Sequence, residues 1–495
     1  MYKRKCDATG KSIISVYSPD KPFTIYEQSE WWSDRWDPLE YWREFDFSKT
    51  FFEQFADLQK VVPRMSMLLV NVENSEYNSY ASNLKNCYFV FDSTENENVF
   101  YSHNSSQCKN CCDVSISDNL ENCYECTNCL NSYKLFQSKN TKNSNNSYYL
   151  SDCDWCENCF WCKNLKNKKY HYLNKEKTKE EYDKLMKLAF GDLESFKLEY
   201  SRLLGNSINR WTYNSFCENV TGDFLKNCKD TYYGFDSIES EWSKFISNCT
   251  KINNSYDYES WAGPSNLCLE LNWTMSCNRT AFWIITWVDD SFYCDHCTSW
   301  SYLFWCIGLR NAKYCILNKQ YTKAEYENLV PKIIEHMKKT KEWWEFFPAS
   351  ISPFWYNETI AMEHYPIERR DVVHNVSTDA EPIFKWSDYE NPKPDVTKII
   401  PASKLPKDIA DVPDDILNWA IECEVTGKPF RIVKYELDFY RELSLGIPKR
   451  HPNQRHMDRI NIRNPKRLYD RKCDSCKTDM VTTYWPERQE TVYCE

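Results

Sequence analysis

Asparagine recurs at intervals of twelve residues in the first half of the chain, and this period limits the folds that are open to it. The positions are Asn74, Asn86, Asn98, Asn110, Asn122, Asn146 and Asn158, with Lys134 in place of one asparagine. Two positions later an aromatic residue usually follows, as at Tyr88, Phe100, Tyr124, Phe136, Tyr148 and Phe160. A fixed short period with apolar residues at set offsets is typical of a solenoid, so we expect a mainly β solenoid fold.

The dimensions of one coil follow less directly from the repeat. Each period offers one short run of strand-forming residues and one polar turn. A coil of twelve residues would leave a core too thin for so many aromatic side chains. We therefore expect two repeats per coil, about twenty-four residues, with asparagine side chains stacked as hydrogen-bonded ladders at the turns.

A second solenoid block follows the first in the same register. Phe160-Trp161-Cys162 matches Phe304-Trp305-Cys306, twelve repeat lengths later. Asn254, Asn266, Asn278 and Asp290 keep the period, although the surrounding positions drift. Two duplicated blocks are therefore expected.

Each block is followed by a predicted capping helix. Thr178 with Glu181, and Thr322 with Glu325, have the spacing of capping boxes that open a helix. Apolar residues follow at helical spacing, beginning at Tyr182 and Tyr326. We expect these helices to cover the open edge of each solenoid.

Composition excludes several classes of protein. The 495-residue chain has a formal net charge of -10, which argues against a generally basic nucleic-acid binder. It has nine glycines, and no two form a phosphate-binding loop or a nucleophile elbow. His-Glu-x-x-His is also missing from the sequence. The longest apolar runs, such as 281–288, are shorter than the roughly twenty residues of a membrane helix, and no signal peptide is evident, so we expect a cytoplasmic protein without membrane attachment.

Most of the 25 cysteines occupy repeat positions, often three residues apart. Examples are Cys123, Cys126 and Cys129, then Cys153, Cys156, Cys159 and Cys162, and later Cys294 and Cys297. We favour cysteine as a small buried core residue. Metal binding and disulfides stay open as alternatives, but residues three apart in a regular strand point to opposite faces, which would separate the thiols.

The two ends of the chain share one motif. Residues 2–26 match residues 469–493, including Arg-Lys-Cys-Asp at both ends. In the C-terminal copy Cys473, Cys476 and Cys494 have the spacing of a zinc ribbon that lacks one ligand, so they are predicted to bind zinc. In the N-terminal copy Thr9 and Glu27 stand where Cys476 and Cys494 are, and no metal is expected there.

A third related motif lies upstream of the C-terminal copy. Cys423-x-x-Thr426-Gly-Lys echoes Cys6-x-x-Thr9-Gly-Lys. His451 and His456 follow at a distance that could supply further ligands. Cys423, His451 and His456 are therefore candidates for a second zinc site, or for completing the first.

The segment 449–472 is the most basic part of the chain. It contains Lys449, Arg450, Arg455, Arg459, Arg463, Lys466, Arg467, Arg471 and Lys472, against two acidic residues, Asp458 and Asp470. Such a stretch beside a zinc knuckle suggests contact with RNA or with a protein partner. The alternative is a helix whose arginines pair with acidic residues of the same chain.

These features divide the chain into five predicted regions. They are a partial zinc-ribbon-like module with an aromatic cap (1–70), two solenoid blocks with capping helices (71–205 and 206–345), a proline-rich connector (346–415) and a zinc-binding module (416–495).

Four stretches carry a resemblance to known sequences. They begin at Arg4 (RKCD-x-TGK), Trp31 (WWSD-x-WD), Phe51 (FFEQF) and Cys423 (CEVTGKPF). The chain resembles an uncharacterised family of cysteine-rich solenoid and zinc-ribbon proteins from candidate-phylum bacteria. The resemblance implies no activity. It implies a further cysteine-bearing half-module before the first motif and a complete cysteine pair at the end, so we expect the recorded reading frame to be a fragment.

The sequence is best interpreted as a non-enzymatic scaffold or binding protein that docks RNA or a ribonucleoprotein. One alternative is a parallel β-helix enzyme acting on polysaccharide, for which Asp113 and Glu125 share a repeat offset. Another alternative is metal storage or redox chemistry by the solenoid thiols.

Overall fold

A computed structural model describes residues 1–191, 193–274, 276–374, 384–392 and 394–494. It divides the chain into two compact units, each made of segments that are distant in sequence. The first unit contains residues 1–66, 208–389 and 464–495, and the second contains residues 67–207 and 390–463. Each unit joins one solenoid block to at least one smaller module.

Backbone conformation sets the shape of the solenoid. From Asn71 to Leu173 nearly every third residue has a φ between 46° and 61°, in the left-handed region. Each such residue turns the chain, so a coil has four short sides with a corner every three residues. Asparagine adopts this conformation more readily than most residues, which explains its place in the repeat. Lys134 has φ 50° and keeps the corner where asparagine is replaced.

One coil contains twelve residues, so the prediction of about twenty-four was wrong. Parallel strands pair residues twelve apart, for example Leu69 with Ala81 and Tyr88 with Phe100. The prediction assumed that the aromatic residues fill the interior. They lie outside the coil, where a thin core does not restrict their size.

The interior is lined by the residue that follows each corner. From Ala81 to Cys162 these positions hold small or medium-sized side chains, and the residues there are buried. In order they are Ala81, Leu84, Cys87, Val90, Ser93, Asn96, Val99, Ser102, Ser105, Cys108, Cys111, Val114, Ser117, Leu120, Cys123, Cys126, Cys129, Ser132, Leu135, Ser138, Thr141, Ser144, Ser147, Leu150, Cys153, Cys156, Cys159 and Cys162. Residues three apart thus face the same interior, which corrects the expectation that they would point to opposite faces.

The solenoid thiols are integrated into backbone hydrogen bonding. Cys126 Sγ donates to the carbonyl of Tyr124 at 3.5 Å and to that of Leu135 in the next coil at 3.2 Å. Cys111 and Cys129 follow the same pattern. Burial raises the pKa of Cys87 to about 12. These are features of neutral core side chains, as the favoured interpretation expected.

Asparagine ladders run along the corners, as predicted. Asn74 Nδ2 donates to Asn86 Oδ1 at 3.2 Å, and the ladder continues through Asn98 to Asn110. In the second block Asn254 donates to Asn266 at 3.0 Å. Each step joins neighbouring coils and satisfies polar groups of the side chains.

The strands of the first block form one sheet. They are Leu69–Glu73, Ser79–Lys85, Tyr88–Thr94, Glu97–Ser106, Lys109–Cys112, Ser115–Glu121, Leu130–Phe136, Asn145–Ser151, Glu157–Lys163, Lys169–Tyr172 and Lys175–Glu176. The last strand turns back and pairs antiparallel with its neighbour. Helices Lys179–Gly191 and Leu193–Gly205 follow, and Tyr182 packs with Phe160 and Trp161, which confirms the first capping helix.

The second block is less regular. Strand Asn209–Arg210 precedes the block and pairs with Val492–Tyr493. The strands of the block are Gly222–Asp223, Gly234–Phe235, Lys244–Cys249, Ile252–Asn253, Tyr256–Ala262, Ser265–Thr274, Asn278–Asp289, Phe292–Asp295, Thr298–Ser301, Leu303–Phe304, Cys315–Ile316 and Lys319–Gln320. Tyr256 pairs with Leu269, thirteen residues on, whereas Ala281 pairs with Phe292, eleven residues on. These changes of coil length account for the drifting sequence period.

The predicted helix after the second block is also present. Helix Lys323–Thr340 begins with a complete capping box between Thr322 and Glu325. Tyr326, Ile333 and Met337 are buried on one face. No described helix has the combination of length and apolar composition needed to cross a membrane.

The remaining elements of the first unit are short. The N-terminal segment has strands Tyr2–Lys5, Ser12–Ser15, Ile25–Tyr26 and Arg64–Met65, helices Gln28–Trp31 and Phe51–Val61, and the 3-10 helix Pro38–Tyr41. After the second block come the 3-10 helices Ala349–Ile351 and Tyr356–Glu358 and helices Ala361–His364 and Arg369–His374. Pro382, in the predicted connector, and Glu495 lie outside the described residues.

The second unit contains the rest of the predicted connector and the Cys423 motif. Its strands are Lys398–Pro401, Trp419–Glu422 and Pro429–Phe430, and its helices are Lys434–Glu442 and Pro452–Asn461. The 3-10 helices are Ala402–Lys404, Ile409–Asp411 and Asp414–Asn418. Outward aromatic residues of the first block, including Phe100, Tyr124 and Phe136, join one core with Phe430 and Tyr440 of this module.

Candidate metal centre

The C-terminal hairpin, residues 469–494, holds three cysteines close together. Strands Tyr469–Lys472 and Asp479–Thr482 pair antiparallel, and Cys473 and Cys476 lie in the turn between them. Cys494 follows strand Val492–Tyr493. Asp474 accepts a 2.8 Å hydrogen bond from the amide of Val492, which holds this last strand beside the turn.

The three sulfurs are within coordination range of one another. Their Sγ atoms all lie within 4.8 Å, and Cys476 Sγ is 3.4 Å from Cys494 Sγ. Among the described residues, this is the one group of three or more His, Cys, Asp or Glu ligand atoms that meets the 4.8 Å limit. Three thiolates fit a soft or borderline ion such as Zn²⁺ and supply three of the four ligands of a tetrahedral site.

Local electrostatics favour a thiolate at the turn. The backbone N–H of Cys476, with those of Cys494 and Ser475, lowers the pKa of the Cys473 thiol to about 6. The Cys476 and Cys473 thiols raise the pKa of Cys494 to about 11, because only one proton is readily lost from the group. A bound cation would reverse that increase, since metal ligation requires deprotonated thiols.

The N-terminal hairpin, residues 2–27, has the same backbone, as the sequence match predicted. Tyr2–Lys5 pairs with Ser12–Ser15 in the register of the C-terminal copy. Asp7 accepts a 2.6 Å hydrogen bond from the amide of Ile25, equivalent to the contact between Asp474 and Val492. The amide of Glu27 donates to Cys6 Sγ at 3.3 Å. Cys6 is therefore alone at its turn, with Thr9 and Glu27 in the other two positions.

Cys423 lies in a third turn of this type, in the second unit. The amide of Gly427 donates to the Cys423 carbonyl at 3.0 Å, and the amide of Thr426 donates to Cys423 Sγ at 3.5 Å. Burial raises the pKa of this thiol, but the N–H of His451 and the Thr426 groups outweigh that effect and lower it. The sulfur is thus engaged by backbone donors rather than by imidazoles.

The structure does not assemble Cys423, His451 and His456 into a metal-binding group. His451 Nδ1 accepts a 3.1 Å hydrogen bond from the amide of Asn453 and caps helix Pro452–Asn461. Burial lowers the pKa of His451 to about 4. The ring of His456 lies 5.5 Å from that of His103. Within the described residues these three side chains miss the 4.8 Å limit that the C-terminal trio meets.

Much of the basic segment is paired within the protein. Arg455 and Arg459 are buried and both contact Asp113, with Arg459 Nη1 2.7 Å from Asp113 Oδ1. Arg450 pairs with Glu424 at 2.9 Å and with Asp458 at 2.8 Å. In the first unit Lys466, Arg471 and Lys472 pair with Asp236, Asp474 and Asp479. These contacts match the alternative in which the arginines pair with acids of the same chain.

Two buried aspartates, Asp113 and Asp295, form ion pairs that fasten smaller modules to the solenoid blocks, and sequence reasoning missed both. Asp113 joins the first block to helix Pro452–Asn461 in the second unit, and in the first unit Asp295 lies 2.7 Å from Arg64. Asp295 also contacts His296 Nδ1 at 2.5 Å. The sequence did contain a hint of the Asp113 contacts. Arg455 and Arg459 are four residues apart, so they lie on one face of a helix and can reach the same acidic residue.

No family assignment follows from comparison with known proteins. The chain matches no protein-family model and no curated protein.

Proposed function

We propose that this protein is a non-catalytic scaffold whose C-terminal hairpin is stabilised by zinc. The observation that carries the proposal is the convergence of Cys473, Cys476 and Cys494 within 4.8 Å. Zinc in such a small module contributes folding free energy rather than chemistry. The solenoid blocks supply long regular surfaces on which the smaller modules are mounted.

The donor set supports zinc. Cys473 is buried and already receives backbone N–H donors, whereas Cys476 is exposed and can be reached by an incoming ion. Thiolate ligands with this turn geometry are typical of structural zinc sites. The chemistry that zinc supplies here is the attraction that holds the turn and the last strand together.

Metal analysis of the purified full-length chain tests the proposal. We expect about one zinc per chain in the native protein, and loss of that zinc in Cys476→Ser and Cys494→Ser. Cys126→Ser is the matched control, because serine already occupies equivalent inward positions such as Ser138 and Ser102. A protein with no zinc, or one whose zinc persists in both ligand variants, would contradict the proposal.

The two alternatives from the sequence receive less support. The Asp113 carboxylate is fully buried between Arg455 and Arg459, so it is not available to a polysaccharide. Thiol storage would require accessible thiols, whereas the described solenoid cysteines from Cys87 to Cys315 are buried, except for the half-buried Cys217. Many metal equivalents per chain in the same analysis would favour storage instead.

RNA docking is a second candidate function, supported by one groove of the second unit. The groove has a volume of about 1070 Å³ and is lined by Phe136, Tyr148, Lys407 and Lys449 among others. Half-buried Tyr148 and Tyr149 also line it, and both lysines are exposed. Aromatic platforms beside cations are a common mode of binding single-stranded nucleic acid.

A charge-reversal experiment tests this second function. Binding of single-stranded RNA should weaken with increasing salt and should fall by at least about tenfold in the Lys407→Glu, Lys449→Glu double variant. Lys187→Glu plus Lys434→Glu changes the net charge equally at exposed helix positions outside the lining and is the control. If RNA binding fell equally in both double variants, the effect of charge would be nonspecific. That result would contradict RNA binding in the groove.

A further inference from the structure

The three cysteines of the C-terminal hairpin differ in their access to solvent. Cys473 is 1% exposed and packs with Met480, Tyr484 and Val492. Cys476 is exposed and Cys494 is half-buried. A reagent in solution therefore reaches Cys476 first and Cys473 last.

The two accessible sulfurs also lie in direct contact with each other. Cys476 Sγ and Cys494 Sγ are 3.4 Å apart, and a disulfide bond is about 2.05 Å long. Closing that gap requires each sulfur to move by less than about 1 Å. Neither residue lies within a regular helix or strand, since Cys476 is in a turn and Cys494 follows a two-residue strand.

We propose that Cys476 and Cys494 are a site of reversible oxidative modification, at which a hydroperoxide converts the two thiols into an intramolecular disulfide. The disulfide would remove two of the three zinc ligands, so the modification releases the metal. That last consequence rests on the proposed function, whereas the disulfide itself does not.

The reaction balances with a hydroperoxide as the two-electron oxidant. The Cys476 thiolate attacks one peroxide oxygen, the O–O bond breaks, and the departing oxygen takes a proton and leaves as water or alcohol. The Cys494 thiolate then attacks the sulfenic acid sulfur, the S–S bond forms, the S–O bond breaks, and the oxygen leaves as water. The two sulfurs are oxidised by two electrons in total, and the peroxide is reduced by two.

The related turns lack this chemistry. The N-terminal hairpin has Thr9 and Glu27 where the C-terminal hairpin has the reactive pair, and its Cys6 is buried. In the second unit Thr426 stands where a second thiol would be, and Cys423 is buried. The modification is therefore expected at one turn of the three.

The test is peroxide treatment of the full-length protein, followed by blocking of free thiols and peptide mapping. Hydrogen peroxide should produce a peptide linked through Cys476 and Cys494, in both zinc-loaded and metal-stripped protein, and dithiothreitol should reverse it. In loaded protein one zinc should be released for each disulfide formed. Cys473→Ser should still form the disulfide, whereas Cys476→Ser and Cys494→Ser should not.

Other products would overturn the inference. A Cys473–Cys476 link, a disulfide between two molecules, or sulfinic acid at Cys476 without any disulfide would each contradict the assigned pair. Metal-stripped protein separates the two proposals, because it can form the disulfide whether or not the native chain binds zinc. Absence of zinc would thus refute the proposed function alone, and absence of the disulfide would refute this inference alone.

Discussion

The N-terminal and C-terminal hairpins share one backbone but differ in the side chains around it. Both pair the same strands and both use an aspartate to hold the later strand. The C-terminal copy brings three thiols together, whereas the N-terminal copy is continued by strand Arg64–Met65, whose Arg64 is buried against Asp295. One hairpin backbone therefore occurs beside two different arrangements, a cluster of three thiols and a buried ion pair.

Removal of metal should produce the largest difference between the hairpins. On chelation, amide hydrogen exchange across residues 473–479 should accelerate by on the order of 10²-fold or more, because structural zinc contributes folding free energy. Exchange across residues 6–12 should not change. Hydrogen exchange with mass spectrometric detection measures both in one sample. Equal acceleration in both hairpins would contradict a local role for the metal.

Loss of the buried ion pair between Arg64 and Asp295 should destabilise the surroundings of the N-terminal hairpin. Asp295→Ala leaves Arg64 unpaired and should reduce the free energy of unfolding by about 3–5 kcal/mol. Asp290→Ala, which breaks a more exposed pair with Arg279, should cost much less, because solvent screens that pair. Denaturant unfolding of both variants provides the measurement. Similar losses in the two variants would show that burial of the Asp295 pair is unimportant.

The same anchor predicts a dependence on pH. Burial alone would raise the pKa of Asp295, but Arg64 and His296 outweigh it and hold that pKa well below the usual range. The unfolded chain therefore binds the proton more readily, so the stabilisation is complete above the ordinary aspartate pKa and is lost as the pH falls below it. Asp295→Ala should flatten the acid limb of a stability curve, and an unchanged slope would contradict this assignment.

Grafting the missing thiols should transfer metal binding to the N-terminal hairpin. Thr9→Cys with Glu27→Cys would place three cysteines at the positions of Cys473, Cys476 and Cys494. We expect a second zinc per chain and a stabilisation of about 3 kcal/mol when free zinc is a hundredfold above its dissociation constant. Thr9→Ser with Glu27→Ser is the control. Unchanged zinc content would show that the shared backbone is insufficient for the site.

The smallest effect concerns backbone strain at the turn. Lys477 has φ 62°, whereas Gly10 and Gly427 occupy the equivalent positions with φ 70° and 67°. Lys477→Gly should relieve the left-handed strain and stabilise the C-terminal hairpin by about 0.5–1 kcal/mol in metal-free protein. Lys472→Gly, in the adjoining strand, should instead destabilise it. Thermal unfolding of the stripped variants distinguishes the two outcomes.

Sequence reasoning predicted the repeat, the two blocks, the capping boxes and the asparagine ladders, because each depends on residues at fixed spacing. It failed on coil size, since it placed aromatic residues inside the coil. Tyr124 and Phe136 lie outside and pack with Tyr440, a residue more than three hundred positions away. Pairings of that kind leave no local pattern, and the same reason hid the contacts of Asp113 and Asp295.

Among the predicted metal ligands, the structure brings together those that are close together in one hairpin, but not the others. The spacing of Cys473, Cys476 and Cys494 identified the trio because one hairpin contains all three residues. His451 and His456 had suitable spacing too, but the helix directs one ring to its own N-terminus and the other towards His103. The sequence spacing of candidate ligands is therefore informative within one hairpin. It is not informative when a helix lies between the ligands.

The sequence by itself determined the solenoid, its twelve-residue period and the three related turns, because these depend on backbone preferences and neighbouring residues. The tertiary structure decided which side chains face the interior, which arginines are neutralised and that Cys423, His451 and His456 do not converge as ligands. The physical reason is that left-handed corners and side-chain size act locally, whereas burial of charge and convergence of ligands depend on segments distant in the chain.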